Sequence, residues 1–371
     1  MPTTKAPANP EHASTDRLGN VPTVRRRLLA WFDKHRRDLP WRAKPGQTPN
    51  PYHVLVSEAM LQQTQVATVI PYFSRFITAC PTVQDLANAQ EQTILRLWQG
   101  LGYYRRARNL HAAARTIVND YAGQVPDNVT DLLTLPGVGR YTAGAIASIA
   151  YNTRAPILDG NVARVLARLY LIDSPIDATD TRKTLWSLAQ AFVPPGRPGD
   201  FNQAMMELGA LVCTKANPSC DTCPLAKQCC ARQAGRVSEV PVPAQRKAPT
   251  EVDHHVIAVH RRGRVLLEQR PINGLWSNMW QLPTAEEFDE TAGTGSLQSW
   301  LQSRSGLTVT DPTRLDTFTH QTTHRTIRFH LWQCTATAGR LRPDIGLWRN
   351  TTNLDDLPLA NPQRKAIKML T

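Results

Sequence analysis

The sequence predicts a multidomain chain in which an all-α domain is followed by a smaller α+β domain. Three observations lead there. At 371 residues the chain exceeds what one ordinary core accommodates. Apolar residues recur at three- and four-residue spacing from about Val24 to Cys230, as in Val162, Val165, Leu166 and Leu169, with little β-branched alternation. Beyond residue 250, short β-branched and aromatic runs separated by turn residues take over.

Residues 1–23 are rich in Pro, Ala, Thr and mixed charge and lack the apolar block of a signal peptide, so a disordered cytosolic tail is expected. Residues 24–230 read as a helical domain of about ten helices, interrupted by breaks at Lys44–Pro51, Gly123–Asn128 and Pro194–Gly199. Residues 231–250, with Pro, Ala, Ser and basic side chains, read as an interdomain linker. Residues 251–371 form the second domain. His255–His260 and Val265–Gln269 flank Arg261–Gly263 as a hairpin would, Asp316–Phe318 and Thr326–Trp332 add strands, and Ser296–Ser303 and Asn361–Leu370 add helices.

A hydrophobic fraction of 41% and a charged fraction of 20% fit a soluble globular chain, and the longest apolar stretch, Thr142–Ala150, is too short to span a membrane. No membrane partner is expected. The net charge of +13 points to a polyanionic partner, although charge alone does not single out nucleic acid. Of seven cysteines, Cys80 and Cys334 stand alone and the rest lie between Cys213 and Cys230, which without a secretion signal favours a metal site over disulfides.

Cys213, Cys220, Cys223 and Cys229 are separated by six, two and five residues, close enough for four thiolates to wrap one centre. Zinc sites more often show two separated Cys-x-x-Cys pairs, and only Cys220 and Cys223 form one here. Spacing and setting together favour a four-iron–four-sulfur cluster over zinc. Spacing leaves Cys230 as an alternative to Cys229.

In Leu135-Pro136-Gly137-Val138-Gly139-Arg140-Tyr141-Thr142-Ala143, Gly137 and Gly139 permit a tight turn that exposes backbone N–H groups at a helix start, a phosphate-binding arrangement that looks like a helix–hairpin–helix element. Asp159 precedes the amphipathic helix Val162–Leu171, so it reads as an N-cap, and capping would hold its carboxylate ionised and fixed in direction. Such an anion can stabilise a cationic sugar. Glu58 has mainly apolar neighbours. Ser57, Gln62 and Gln63 compete with it for the polar face, and burial would turn it into an acid near neutral pH.

Taken in order, Ser57–Val66, Trp98–Tyr104, Leu135–Ala143, Leu158–Val165, Phe201–Cys213 and the cysteine loop resemble the MutY-type adenine DNA glycosylases of the helix–hairpin–helix superfamily. The resemblance is specific over about residues 24–230 and looser over 251–371. It implies base-excision repair of adenine mispaired with 8-oxoguanine or guanine in double-stranded DNA, with the adenine flipped out of the stack. It implies that Glu58 protonates adenine N7, that Asp159 stabilises the cationic sugar, and that Tyr141 and Asn161 support the pair. Trp41, Arg42, Leu61 and Glu207 match residues around the adenine, although core packing is the ordinary role of Trp41, Leu61 and Leu101. Gln63 and Tyr103 match residues that wedge into the stack beside the lesion, with Thr64 and Leu101 nearby.

Tyr141 stands where related endonuclease III enzymes have a Schiff-base Lys, and Ala163 where some adenine glycosylases have another, so a monofunctional enzyme is expected. The second domain resembles the family's Nudix-like lesion-reading domain through Arg270-Pro271, Gly274-Leu275-Trp276 and Leu282-Pro283. Ser296–Ser303 offers Gln298 and Gln302 where a hydrolytic Nudix helix carries Glu, so no pyrophosphatase activity is expected. The family's Phe-Ser-His reading loop stands here as Thr322-Thr323-His324. Thr323 and His324 are expected to read the lesion, the alternative being an ordinary strand end. The chain is expected to be a cytoplasmic, nucleoid-associated monomer. A glycosylase for pyrimidine lesions or T:G mismatches, and a non-catalytic mismatch sensor, are the competing functions.

Overall fold

The computed structural model describes residues 21–44, 46–243, 248–286, 288 and 293–370. It divides into two compact units. One is Met1–Ile77 with Thr82–Gln84 and Ala112–Gln245; the other is Thr78–Pro81 with Asp85–His111 and Arg246–Thr371.

The first unit is helical. Helix α1 (Val21–His35) buries Val21, Val24, Leu28 and Phe32, one stripe at three- and four-residue spacing. Helix α2 (Pro51–Leu61) starts where the Asn50 side chain accepts the Tyr52 and His53 N–H groups and Pro51 presets the first turn. Helix α3 (Val66–Ala79) follows; α4 (Val83–Asn88), α5 (Glu91–Trp98) and α6 (Arg105–Asp120) come next in the chain, with Asp85–His111 belonging to the second unit. The short α7 (Val129–Leu132) leads through the Gly137 turn into α8 (Arg140–Tyr151). Helices α9 (Gly160–Tyr170), α10 (Thr179–Phe192) and α11 (Pro198–Leu211) follow, and α12 (Cys230–Gln233) comes after the cysteine loop. Helix α11 packs on α1, α8 and α9, and α2 packs on α8. The core shared by α1, α8, α9, α10 and α11 includes Phe32, Leu166, Phe192, Phe201 and Leu208.

The second unit is built on a sheet. Strand β1 (Thr250–Arg261) turns into β2 (Arg264–Gln269) through Arg262 and Gly263, both at positive φ, the conformation a two-residue hairpin requires. Short strands β3 (Trp280–Gln281), β4 (Thr284–Ala285) and β5 (Leu307–Val309) precede the long hairpin of β6 (Thr313–Gln321) and β7 (Arg325–Gly339), and β8 (Gly346–Arg349) pairs with β2. Strand β7 runs parallel to β1, and the path is β3-β2-β1-β7-β5. Because β1 is covered on both faces, successive side chains enter different cores. Val256 and Ala258 pack under α14 (Asn361–Lys368), while Ile257 and Val259 pack under α13 (Thr294–Ser305).

Three expected boundaries shift. Of the expected tail, residues 1–20 lie outside the described residues, and α1 already begins at Val21, whose side chain joins the core. The stretch expected as a linker is folded onto the helical unit through residue 243. Val240 is buried, its carbonyl accepts Arg168 Nε at 2.8 Å, and Val242 O accepts the Ile176 N–H. Residues 85–111 group with the C-terminal unit because Gln92 Nε2 donates to Asn278 O, Asn278 Nδ2 to Glu91, and Arg108 to Ser277 O. Among the described residues no helix is long and apolar enough to cross a membrane.

Candidate active site

A cavity of about 740 Å³ opens in the helical unit, a size suited to a small organic ligand. Its wall carries Glu58 and Leu61 from α2, Tyr141 from α8, Asp159 and Asn161 at the head of α9, and Glu207 from α11. Trp41 and Arg42 come from the segment after α1, and Gln63 and Thr64 from the turn after α2. The structure therefore gathers the expected catalytic and base-pocket residues around one space.

Helix α2 has almost no polar face. Tyr52, Val54, Leu55, Val56, Ser57 and Met60 are buried with Glu58, which is only 5% exposed. Ser57, expected to compete for the polar face, instead donates to Val54 O. Burial raises the Glu58 carboxyl to about 7; Tyr141 and Arg42 oppose the rise and Asp159 adds to it. Its Oε2 is buried without a hydrogen-bond partner.

Asp159 caps α9. Its Oδ1 accepts the Val162 N–H at 2.7 Å and its Oδ2 accepts Asn161 Nδ2 at 3.0 Å. The cap was expected to hold this carboxylate ionised, but burial is the larger influence and moves its pKa up, against the bonds from Val162 and Asn161 and the charge of Arg164. Asn161 is itself held, because its Oδ1 accepts Arg164 Nη2 at 2.8 Å. Arg164 also donates to Cys213 O and Gly209 O, both at 2.7 Å, so one guanidinium ties the carboxylate's support to the cysteine loop. Gly209 permits this approach, since a Cβ there would lie 2.6 Å from Asn161 Cβ.

Glu207 has the opposite environment. It is 1% exposed, and Arg37 grips both oxygens at 2.8 Å while Arg42 Nη2 reaches Oε2 at 2.9 Å. Burial alone would raise its pKa; the bonds from Arg37 and Arg42 overcome it and hold the carboxyl at about 2. Trp41 packs edge-on to Phe73.

The expected phosphate-binding turn forms. Gly137 sits at φ 78°, a conformation side chains disfavour. Gly139 caps α8 without any side chain, leaving first-turn N–H groups available to an anion.

The lesion-side residues divide. In the C-terminal unit Tyr103 is 48% exposed at φ 48°, and its hydroxyl lies 3.1 Å from Thr323 Oγ1. Thr323 and His324 are exposed in the β6–β7 turn, so the contact joins a residue expected to wedge beside the lesion to one expected to read it. Leu101 is instead buried, with its carbonyl accepting from Arg106, and serves packing. Gln63 is at φ 57° at the cavity edge.

Cys213, Cys220, Cys223 and Cys229 line one small cleft, and Cys230 opens α12 outside that lining. Burial pushes the Cys223 thiol up to about 11, and Cys213, Cys229 and Cys220 add to the rise. Arg168, buried beside them, donates to Cys213 Sγ at 3.4 Å and to Thr214 O at 2.7 Å. The donor set fits a thiolate-bound centre. Among the described residues no three His, Cys, Asp or Glu side chains are drawn together as for a single ion.

Residues 56–191 match the HhH-GPD superfamily of base excision DNA repair proteins, and residues 254–369 match the NUDIX domain. The rat (Rattus norvegicus) adenine DNA glycosylase is 42% identical over 76% of this chain, which spans 63% of the rat protein's length. The adenine DNA glycosylase of Buchnera aphidicola subsp. Schizaphis graminum is 32% identical over 92% of this chain and 97% of its own. The chain belongs to the adenine DNA glycosylase family. A thermostable thymine-DNA glycosylase structure superposes with a TM-score of 0.52 at 30% identity, covering 58% of this chain and 98% of that one.

Three residues at the site carry no signal in the sequence strong enough to single them out on their own. Arg37 ends the run Lys34–Arg37, which resembles a solvated basic face; only its partner 170 residues away reveals it. Arg164 was hidden on an amphipathic helix, although its placement beside Asp159 and Asn161 was a usable signal. Met206, which the sequence does not set apart from its apolar neighbours, lines the cavity, where it accepts the Tyr141 hydroxyl at 3.2 Å.

Proposed function

We propose that the chain is a monofunctional DNA glycosylase that hydrolyses the N-glycosidic bond of adenine mispaired with 8-oxoguanine or guanine in double-stranded DNA. The observation that carries this reading is a carboxyl poised at about 7 beside a capped carboxylate in one base-sized cavity. Half protonated near neutrality, Glu58 donates to N7 of the flipped adenine and turns it into a better leaving group. Asp159, oriented by the Val162 N–H and Asn161, stabilises the cationic sugar until water adds. Tyr141 has no amine for an imine, which supports hydrolysis without strand-cleaving lyase chemistry. Glu207 and its two arginines form a fixed polar wall for the base, alongside Trp41 and Leu61.

Thr323, His324 and Tyr103 read the base opposite the adenine, and the Tyr103–Thr323 contact supports a joint role for those two. No hydrolytic Nudix activity is expected of the C-terminal unit: among the described residues of α13, Gln298 donates to Val309 O and Arg304 pairs with buried Glu268. Cys213, Cys220, Cys223 and Cys229 would hold a four-iron–four-sulfur cluster, which when bound supplies a rigid cross-link of the loop they share. Iron analysis separates this from zinc. The protein acts as a cytoplasmic monomer.

Single-turnover excision from duplexes carrying A:8-oxoguanine, A:G, T:G or an oxidised pyrimidine tests the proposal. Adenine should be released from the first two. Efficient release of thymine would support the function named for the structurally similar thymine-DNA glycosylase and refute ours.

A further inference from the structure

Tyr141 carries a single hydroxyl proton and faces two acceptors. One is the Glu58 carboxyl. The other is Met206 Sδ, 3.2 Å away, an ordinary O–H···S separation. The choice matters. A proton given to Glu58 favours its ionised form, and an acid already ionised has nothing to deliver. A proton given to sulfur turns the Tyr141 lone pairs toward Glu58, and these accept a carboxyl hydrogen rather than support a carboxylate. Glu58 Oε2 has no hydrogen-bond partner in its buried position, so Tyr141 has unusual leverage over that carboxyl.

We propose that Met206 is a positioning residue whose sulfur draws the Tyr141 hydroxyl proton away from Glu58, so that Glu58 keeps its own proton for the leaving base. The proposal rests on the glycosylase reading above, in which Glu58 is the acid. The other charged groups facing Glu58 are Asp159 at the head of α9 and Arg42 ahead of α2. Glu207 of α11 is held between Arg37 and Arg42, and Arg164 is engaged with Asn161, Gly209 and Cys213. None of these bonds involves Met206. Replacing its sulfur therefore leaves them in place and changes only where the Tyr141 proton goes.

The test reads Glu58 ionisation without relying on catalysis. The full chain and its Met206→Leu variant, which conserves volume, are each compared with their own Glu58→Gln derivative by urea unfolding between pH 5 and 8.5. The pH at which the stability difference changes reports Glu58. Met206→Leu should move that transition toward acid by about half to one pH unit. Single-turnover adenine excision at pH 7.5 should fall about three- to tenfold, the same shift expressed as the fraction of acid form. Met206→Gln, whose amide oxygen restores an acceptor, should return the transition to its original pH. In a Tyr141→Phe background, Met206→Leu should move nothing. An unmoved transition in Met206→Leu, or an equal shift without the Tyr141 hydroxyl, overturns the proposal. The unfolding transition can be measured even if no adenine is released, so failure of the glycosylase reading is seen separately.

Discussion

Replacing Glu58 by Gln should make the protein more stable at alkaline pH while abolishing excision. The perturbation is small in shape, since Gln matches Glu in volume and only removes the ability to ionise. Burial moves the carboxyl from 4.5 to about 7, about 2.5 units, and at about 1.4 kcal/mol per unit this corresponds to about 3 kcal/mol. The folded chain therefore holds a proton that the unfolded chain releases between these two values. Stability from this group is fully present below pH 4.5 and is lost as pH rises through about 7, because there the folded state must bury a charge.

Gln escapes that loss. Any cost of its amide at the partnerless Oε2 position is independent of pH, so the informative quantity is the change in the gap with pH, not its size at one pH. Urea unfolding of both proteins at half-unit steps from pH 4.5 to 8 should find the gap opening by about 3 kcal/mol in favour of the variant. Parallel stability curves would refute a Glu58 held as an acid, and with it the assigned role. The outcome would also show a catalytic group retained at a cost to the fold.

Asp159→Asn keeps a good N-cap for α9 and the bond to Val162, so unfolding should be little changed while single-turnover excision drops about 100- to 1,000-fold. A loss below tenfold would remove the anion from the chemistry. Gly209→Ala forces a Cβ to within 2.6 Å of Asn161 Cβ and should lower stability by about 1–3 kcal/mol together with excision; thermal unfolding and activity both at wild-type level would count against the close α9–α11 approach. Thr323→Val removes the hydroxyl that meets Tyr103 and, combined with His324→Ala, should narrow the preference for A:8-oxoguanine over A:G by about three- to tenfold. An unchanged ratio would make the β6–β7 turn an ordinary strand end.

Asp159 was legible because a cap and a catalytic anion ask for the same thing, an Asp just before an amphipathic helix. Gly137 was legible because its turn requires positive φ. Glu58 was ambiguous for a physical reason. Helix α2 is buried nearly all round, so periodicity along it cannot tell which way a lone carboxylate points. The grouping of residues 85–111 was out of reach, since it depends on Glu91 and Gln92 meeting Asn278, contacts without a local sequence signature. Arg106 belongs to the same class. It sits 5.4 Å from the rings of both Trp98 and Tyr103 and bonds the carbonyls of Leu101 and Gly102, so a residue that reads as surface charge supports the loop presenting Tyr103.

The three carboxylates in the cavity show why composition alone cannot assign roles. Glu58 has burial, which outweighs the opposing Tyr141 and Arg42, and becomes an acid at about 7. Asp159 has burial opposed by two backbone N–H groups and the Asn161 amide; burial is the larger influence and its pKa moves up, while the same donors fix the direction of its oxygens. Glu207 is buried as well, yet two guanidiniums take it to about 2. The contrast between Glu58 and Glu207 thus follows the donors each carboxylate receives. Those donors come from helix ends and arginines remote in sequence. It follows that Glu207 cannot exchange roles with Glu58: unpairing it from Arg37 would leave a buried acceptor beside Arg42 and disturb the wall the base rests on.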